Sequence, residues 1–402
     1  METTMKRIMW PALCVIALLV SVAFAAETAE RAGATPQPGD LRLTLPPVFY
    51  AAPGVEMNIY YDNIVLTETP EKYHFAVKCS LGKNEERRWT LTPGADDAGE
   101  HKMTITVTDE KKKVLAEGKT SLRVVHADAG AGRNIRVLIV GDSLTAGGTY
   151  AAEVARCLSL PGNPTGKLLG TRKTGGKGIA HEGYGGWTWS GFATRYEPNP
   201  DPENPDPKKR KISSPFVFLG KDGKSATGGS ANGGPELDPA RYFKEKCDGD
   251  KPDYITVLLG INDCFGASRN PDDAKAVDTT IDAMFKNAET LLAAFRKAAP
   301  KADIGVCLTT PPNSRESGFE ANYKGQYHCW NWKQVQHHLV HRQLEHFGKR
   351  EKDRITIVPT ELNLDPVDGY PDNNGVHPNA AGYKQIGDSI YSWLKSRMQS
   401  PR

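Results

Sequence analysis

Residues 136–148 read RVLIVGDSLTAGG, a short apolar run that ends in a Gly-Asp-Ser-Leu turn. The aliphatic series over 136–140 predicts a strand covered on both faces, and the pattern over 150–158 predicts a helix. In open α/β sheets, ligands bind at the carboxyl ends of the strands. Ser143 therefore stands where a nucleophile would be useful, although the same turn also fits an ordinary strand-to-helix junction with a serine cap.

Beyond residue 134 the chain alternates between apolar runs and long helical patterns. The strands are predicted at 136–140, 254–259, 303–309 and 355–358, with a weaker one near Lys167–Leu169. The helices are predicted at 274–298, 330–347 and 380–396. This alternation predicts an α/β fold with a parallel sheet and helices on both faces.

Three further motifs follow the first one in a fixed order. Residues 181–189 read HEGYGGWTW, residues 256–263 read TVLLGIND, and residues 372–378 read DNNGVHP. Together with the Gly-Asp-Ser-Leu turn, this series resembles the SGNH, or GDSL-type, hydrolase family over roughly residues 134–397. The resemblance implies a flavodoxin-like three-layer α/β/α sandwich.

The resemblance also assigns chemical roles to four residues. Ser143 would be the nucleophile and His377 the general base, because a serine hydroxyl needs a neighbouring imidazole to take its proton. Attack on an ester carbonyl creates an oxyanion that needs donors already aimed at it. The backbone N–H groups of Ser143 and Gly186 and the side-chain amide of Asn262 would form that oxyanion hole.

The sequence departs from the family pattern beside the histidine. The family usually has an aspartate three residues before it, and Asn374 stands there in this chain. An asparagine oxygen can accept a hydrogen bond from the imidazole ring, but it brings no charge to stabilise imidazolium. We favour Asp372 as the third catalytic residue, which would orient His377, with a loop Asx-turn as the competing interpretation. Asp365, Asp368 and a Ser–His dyad assisted by a backbone carbonyl stay open as alternatives.

Two aromatic residues and a histidine pair have competing interpretations. Trp187 and Trp189 directly follow Gly186 and are predicted to bind substrate by stacking on a sugar ring, or else to pack in the core beneath the loop. His337 and His341 share a helical face at a spacing that suits a metal, but no third ligand accompanies them. An exposed histidine cluster is the favoured interpretation, and we expect neither a metal nor another cofactor.

The first part of the chain differs in character from the rest. Residues 1–25 have a basic start, an apolar core and a small-x-small cleavage pattern, which predict a signal peptide. Residues 41–126 contain short alternating runs separated by turns, which predict a small all-β, immunoglobulin-like domain. A linker at 127–133 precedes the hydrolase domain at 134–398, whose Pro-, Gly- and Lys-rich stretch at 197–240 predicts a polar surface insertion.

Composition limits the partners and the compartment. The net charge is only +3, so nothing points to nucleic acid. The apolar run near the N-terminus is short for a bilayer span, and we expect a secreted or periplasmic protein without a membrane span. In an oxidising compartment Cys264 is a candidate disulfide partner of Cys247 or Cys329. The oligomeric state is not indicated.

Together these features predict a secreted serine esterase that hydrolyses O-acetyl or other short acyl esters on carbohydrate. The glycan substrate is favoured by export, by the additional β domain and by the tryptophans near the site. A lipid or aryl esterase of the same fold is the first alternative, although the polar insertion does not supply an apolar lid. A non-catalytic glycan-binding protein on a hydrolase scaffold is the second, and the asparagine in place of the usual aspartate gives it some weight.

Overall fold

The computed structural model describes residues 41–205, 210–220 and 234–399. The predicted signal peptide, residues 1–25, lies outside the described residues. The described residues from Leu41 onward belong to one compact unit. This unit has two hydrophobic cores, a large one in the α/β part and a smaller one between the N-terminal sheets.

The strands and helices follow one another along the whole described chain. The strands are β1 (Val48–Ala51), β2 (Met57–Tyr60), β3 (His74–Lys78), β4 (Lys83–Asn84), β5 (Arg88–Leu91), β6 (Gly99–Thr108), β7 (Val114–Val124), β8 (Asn134–Gly141), β9 (Thr165–Leu169), β10 (Glu182–Gly183), β11 (Val217–Leu219), β12 (Pro235–Leu237), β13 (Tyr254–Leu258), β14 (Asp303–Cys307) and β15 (Ile355–Val358). The α-helices are α1 (Tyr61–Ile64), α2 (Ser143–Ala146), α3 (Thr149–Leu158), α4 (Trp189–Thr194), α5 (Pro239–Lys246), α6 (Ile261–Cys264), α7 (Ala274–Ala298), α8 (Glu316–Tyr323), α9 (Cys329–Phe347), α10 (Thr360–Asn363) and α11 (Ala380–Met398).

A parallel sheet forms the centre of the α/β part. Strand β8 pairs with β13 on one side, and β9 and β10 share its other side, while β14 and β15 continue the sheet beyond β13. Every residue of β13 and β14 is buried, as expected for strands covered on both faces. After β8 the chain first forms β9 and β10 on one side of this strand and then crosses to β13 on the other side. The topological switch point therefore lies between β8 and β13. The predicted parallel sheet with helices is confirmed.

Helices pack on the sheet in two groups. Helix α3 packs against α11, while α4, α5 and α9 contact α7. The predicted helix over 274–298 begins and ends where α7 does, because Asp273 caps its first turn by accepting a hydrogen bond from the Ala276 N–H. No helix in the described part of the chain is long and apolar enough to cross a bilayer.

The N-terminal strands form two sheets, which we call the β region (residues 48–124). One sheet has the order β1-β7-β6-β3 and the other β2-β5-β4, with all pairs antiparallel except β1 with β7. Residues 57–66, MNIYYDNIVL, are one of the alternating runs that suggested strands, but they do not form a single strand, because the chain turns into α1 at Tyr61. The immunoglobulin-like label and the separate domain boundaries stay predictions.

Part of the predicted insertion at 197–240 belongs to the core. Strands β11 and β12 pair as an antiparallel hairpin. Phe216 is fully buried, and its ring contacts Phe192, Tyr242 and Phe295. The expectation that this segment lies only on the surface is therefore wrong for the residues around Phe216, where an apolar side chain follows the polar run.

The disulfide expectation is also wrong. The cysteines of the described residues are all free, and all but Cys79 are buried. Cys264 lies fully buried in the large core, where it packs as a small hydrophobic side chain.

Glu361 carries a buried carboxyl group at the junction of the β region and the α/β part. Neither of its side-chain oxygens has a hydrogen-bond partner among the described residues. Burial raises the pKa of Glu361 to about 8, and the nearby Leu362 N–H offsets only part of this effect. The folded protein therefore retains a proton that the unfolded chain has already released above its ordinary pKa of 4.5.

Replacing Glu361 with glutamine should stabilise the protein increasingly as the pH rises. Because the raised pKa favours the neutral acid, the wild type loses folding free energy between about pH 5 and about pH 8, and Glu361→Gln removes that loss. The measurement is Tm against pH for both proteins, with the exposed Glu110→Gln as control. Parallel Tm curves for Glu361→Gln and wild type from about pH 5 to about pH 9 would contradict the prediction.

Candidate active site

The turn after β8 places Ser143 at the carboxyl end of the central sheet. Asp142 caps α2 by accepting a hydrogen bond from the Leu144 N–H at 3.0 Å. Gly141 is required at the strand end, because a Cβ atom there would lie 2.0 Å from Thr145 Oγ1. Ser143 is consequently the first residue of α2.

A long loop brings His377 to this serine from the far end of the chain. We call residues 364–379, between α10 and α11, the histidine loop. His377 Nε2 lies 2.8 Å from Ser143 Oγ, although the two residues are 234 positions apart in sequence. The structure thus places the predicted nucleophile and base within hydrogen-bond distance.

The other ring nitrogen of His377 contacts Asn374. Asn374 Oδ1 lies 3.1 Å from His377 Nδ1 and also accepts hydrogen bonds from the backbone N–H groups of Val376 and His377. Because backbone N–H groups only donate, the atom facing the ring is the amide oxygen. Nδ1 therefore carries the proton, and Nε2 is left free to accept one from Ser143.

Asp372 does not orient His377, contrary to the prediction. Its side chain is 88% exposed and forms an ion pair with Arg315 at 2.7 Å. Asp365 and Asp368 are also turned away, because both pair with Arg87. The residue that orients the imidazole is Asn374, at the position where the family has its aspartate.

The surroundings of His377 disfavour the charged ring. Burial lowers the pKa of His377 below its ordinary value of 6.5. The amide of Asn374 brings no negative charge that would oppose this effect. The imidazole is accordingly neutral, and able to act as a base, to a lower pH than an exposed histidine.

The predicted oxyanion residues Asn262 and Gly186 lie on α6 and on the loop before α4. Asn262 lies on α6, directly after β13, and its Nδ2 donates to Asp142 Oδ2 at 3.2 Å and to the Trp187 carbonyl at 3.1 Å. Gly186 has a φ of +75°, and open space surrounds the position of a Cβ atom. The Asn262 amide therefore joins the Ser143 turn to the Gly186 loop.

Two buried aspartates that sequence reasoning did not single out support these loops. Asp142 accepts from Asn262, and Asp263 accepts from the Trp189 N–H at 3.1 Å. Burial raises the pKa of each of these carboxyl groups to about 7. Their positions next to Ser143 and Asn262 in the motifs were the available signal.

The two tryptophans are core residues rather than a sugar platform. Trp187 is 4% exposed and stacks on Tyr184, with ring centroids 4.4 Å apart. Trp189 is 0% exposed, because Thr188 caps α4 and turns this side chain into the core. The prediction that they bind substrate is wrong.

The histidine pair is not an exposed cluster. His337 is buried and lies 3.4 Å from Thr44 Oγ1, and His341 lies near Arg42. A cluster of potential metal ligands among the described residues is formed instead by Glu153, Cys157 and Asp388. Its negative charge is compensated, as shown by contacts of Asp388 with Lys384 and of Glu153 with Lys384 and Arg156.

Comparison with known proteins identifies the class to which this fold and site belong. The family model described as GDSL-like lipase/acylhydrolase matches residues 137–390. The chain belongs to this family, and it is an ester hydrolase by family. No curated protein matches it.

Solved structures resemble the chain only distantly. A carbohydrate esterase family 3 protein from Talaromyces cellulolyticus is 17% identical, with a TM-score of 0.38, and the match covers 66% of this chain and 98% of that one. A carbohydrate acetylesterase from Sinorhizobium meliloti is 13% identical, with a TM-score of 0.34, and covers 65% and 99%. A gut microbial diltiazem-metabolizing enzyme is 15% identical, with a TM-score of 0.38, and covers 66% and 47%.

Proposed function

We propose that the chain is a secreted serine esterase that removes acetyl or other short acyl groups from carbohydrate. The observation that carries the esterase part is the 2.8 Å contact between Ser143 Oγ and His377 Nε2, with Asn374 holding the ring in the tautomer that accepts the proton. Secretion rests on the signal-like composition of residues 1–25.

The reaction follows from these positions. His377 takes the proton of Ser143 as the serine oxygen attacks the ester carbonyl, and the N–H groups of Ser143 and Gly186 with the Asn262 amide stabilise the oxyanion. The protonated imidazole then gives its proton to the departing sugar hydroxyl, which leaves an acyl-serine. Water, deprotonated by His377, attacks this ester and releases the acid, and the proton returns to Ser143.

A group of half-buried aromatic side chains supports a ring-shaped substrate. Phe265 follows Asn262 by three residues and stacks on Tyr327, with ring centroids 4.4 Å apart. Tyr323, on α8, contacts both of these rings. Phe319 of the same helix packs directly against Gly375 of the histidine loop, so closely that a Cβ atom at Gly375 would clash with its ring. Aromatic faces with hydroxyl groups suit a pyranose ring.

The same aromatic group also favours the second candidate, an aryl esterase, because an aromatic acid or alcohol would pack there equally well. A lipid esterase is less favoured, since the described part of the 197–240 segment provides no apolar lid. A purely binding role is disfavoured because an aligned Ser–His pair serves chemistry rather than recognition.

The test is acetate release from acetylated xylan, mannan and pectin, together with hydrolysis of p-nitrophenyl acetate and octanoate, with Ser143→Ala as control. We expect turnover of the acetyl ester well above the octanoyl ester and acetate release from at least one polysaccharide. Tyr323→Ala should raise KM for the polysaccharide more than for p-nitrophenyl acetate. Preference for octanoate, or turnover of the p-nitrophenyl esters without acetate release from any of the polysaccharides, would contradict the carbohydrate assignment, and no hydrolysis of any substrate would contradict the esterase function.

A further inference from the structure

The histidine loop is fastened at its start by side chains of the β region. We propose that the β region positions His377 for catalysis, with Arg87 and Asp365 as the central contact. This inference rests on the proposed esterase function and assigns the β region a part in it. Arg87 is a positioning residue, because it acts on the base through the loop and not on substrate.

Asp365 is the centre of the first turn of the loop. The guanidinium Nη2 of Arg87 lies 2.6 Å and 2.7 Å from the two carboxylate oxygens of Asp365. Oδ1 of Asp365 also accepts hydrogen bonds from the N–H groups of Val367 and Asp368, at 2.9 Å and 3.1 Å. The Asp365 side chain is 9% exposed and that of Arg87 is 44% exposed, so water screens this ion pair only from the arginine side.

Two asparagines of the β region hold residues of α10 and the first residue of the histidine loop. Asn63 Nδ2 donates to the carbonyls of Glu361 and Leu364, at 2.6 Å and 2.8 Å. The backbone N–H and the side-chain amide of Asn58 both donate to Asn363 Oδ1. These contacts come from β2 and α1, so the start of the loop has a support outside the α/β part.

A second set of bonds transmits this position to the histidine. The Asn379 side chain donates to the Asp368 carbonyl at 2.8 Å, and the Asn379 N–H donates to the Gly369 carbonyl at 2.9 Å. Asn379 lies two residues after His377. The connection from Arg87 to the base therefore passes through Asp365, the turn at 368–369 and Asn379.

The remainder of the loop is held from within the α/β part. Arg315 donates to the carbonyls of Val367 and Tyr370, and Asn313 donates to those of Pro371 and Asn374. Because these contacts do not involve the β region, the loop should keep its general course when Arg87 is removed. Its alignment should change by a small distance, and misplacement by about 1 Å costs as much as about 10²-fold in rate.

The experiment is Arg87→Met in the full chain, which keeps much of the side-chain length and removes the charge. We expect kcat for p-nitrophenyl acetate to fall by about 10- to 100-fold, with KM changing less than about twofold. The matched control is Arg123→Met, which removes an Arg–Glu100 ion pair lying wholly within the β region. Inactivation by an organophosphate, which reports Ser143 reactivity directly, should slow in parallel with kcat for Arg87→Met only.

Asp365→Asn and the double variant identify the route. If Arg87 acts through Asp365, the double variant with both substitutions should be no less active than the less active of the two single variants. Wild-type kcat in Arg87→Met, or an equal fall in Arg123→Met, would overturn the proposal. If Arg87→Met fails to fold, Arg87→Lys decides by the same kcat criterion, since lysine keeps the charge but has one nitrogen in place of the two with which Arg87 contacts Asp365 and Asp368. Inactivity of the wild type itself would refute the esterase function instead.

Discussion

Replacing Ser143 with alanine should lower kcat by about 10⁶-fold and leave the fold intact. The serine is half-buried at the start of α2, and its Oγ hydrogen-bonds to His377 Nε2 rather than to a core residue. His377→Ala should cost about as much, and the double variant should be no worse than either single one, because nucleophile and base act as a unit. The measurement is kcat for p-nitrophenyl acetate beside Tm.

An exposed serine elsewhere provides the control for this result. Ser159 follows α3, its Oγ donates to the Arg156 carbonyl, and Ser159→Ala should leave kcat unchanged. If Ser143→Ala retained more than about one hundredth of the activity, a nucleophile other than Ser143 would have to be sought.

Removing the Asn374 amide should give the second large effect. In Asn374→Ala, nothing holds the proton on His377 Nδ1, and the ring loses both its orientation and its preferred tautomer. We expect kcat to fall by roughly 10³-fold, approaching the loss of about 10⁴-fold that a wrong tautomer causes in serine proteases. The turn should also lose stability, because the same oxygen accepts two backbone hydrogen bonds.

The aspartate variant separates orientation from charge. Asn374→Asp keeps the acceptor and adds a negative charge beside Nδ1, so the pKa of His377 rises from its lowered value. Since the neutral ring is the base, the acid limb of kcat/KM should move upward by about one pH unit or more, while the rate at high pH is kept or increased. An unchanged pH profile in Asn374→Asp would show that Asn374 does not contact the ring during catalysis.

The sequence predicted the elements that local pattern determines. The strand ending at Gly141 and the helix over 274–298 were recognisable from periodicity and capping. The pairing of Ser143 with His377 was predictable through the order of the motifs, because parallel strands bring their carboxyl ends to one edge. The end of β2 at Tyr60 was missed, because apolar residues continue in the sequence through α1.

The errors arose where long-range contacts decide the outcome. Asp372 is sequentially close to His377, but the charge of Arg315, which is 57 residues away, draws it outward. Trp187 and Trp189 looked like a binding surface, yet Tyr184 and Phe192 enclose Trp187. In both cases the deciding partner cannot be inferred from the motif itself.

The shared junction between the β region and the α/β part limits how this protein can be divided. Leu362, from α10, is fully buried in the smaller core among side chains of the β region, and Lys395 of α11 donates to the Ala127 carbonyl between the two parts. A hydrolase half begun at residue 134 would expose Leu362 to water and leave Asp365 without its cation. We therefore expect the β region and the α/β part to be inherited, exchanged between genes and engineered only together, as one unit.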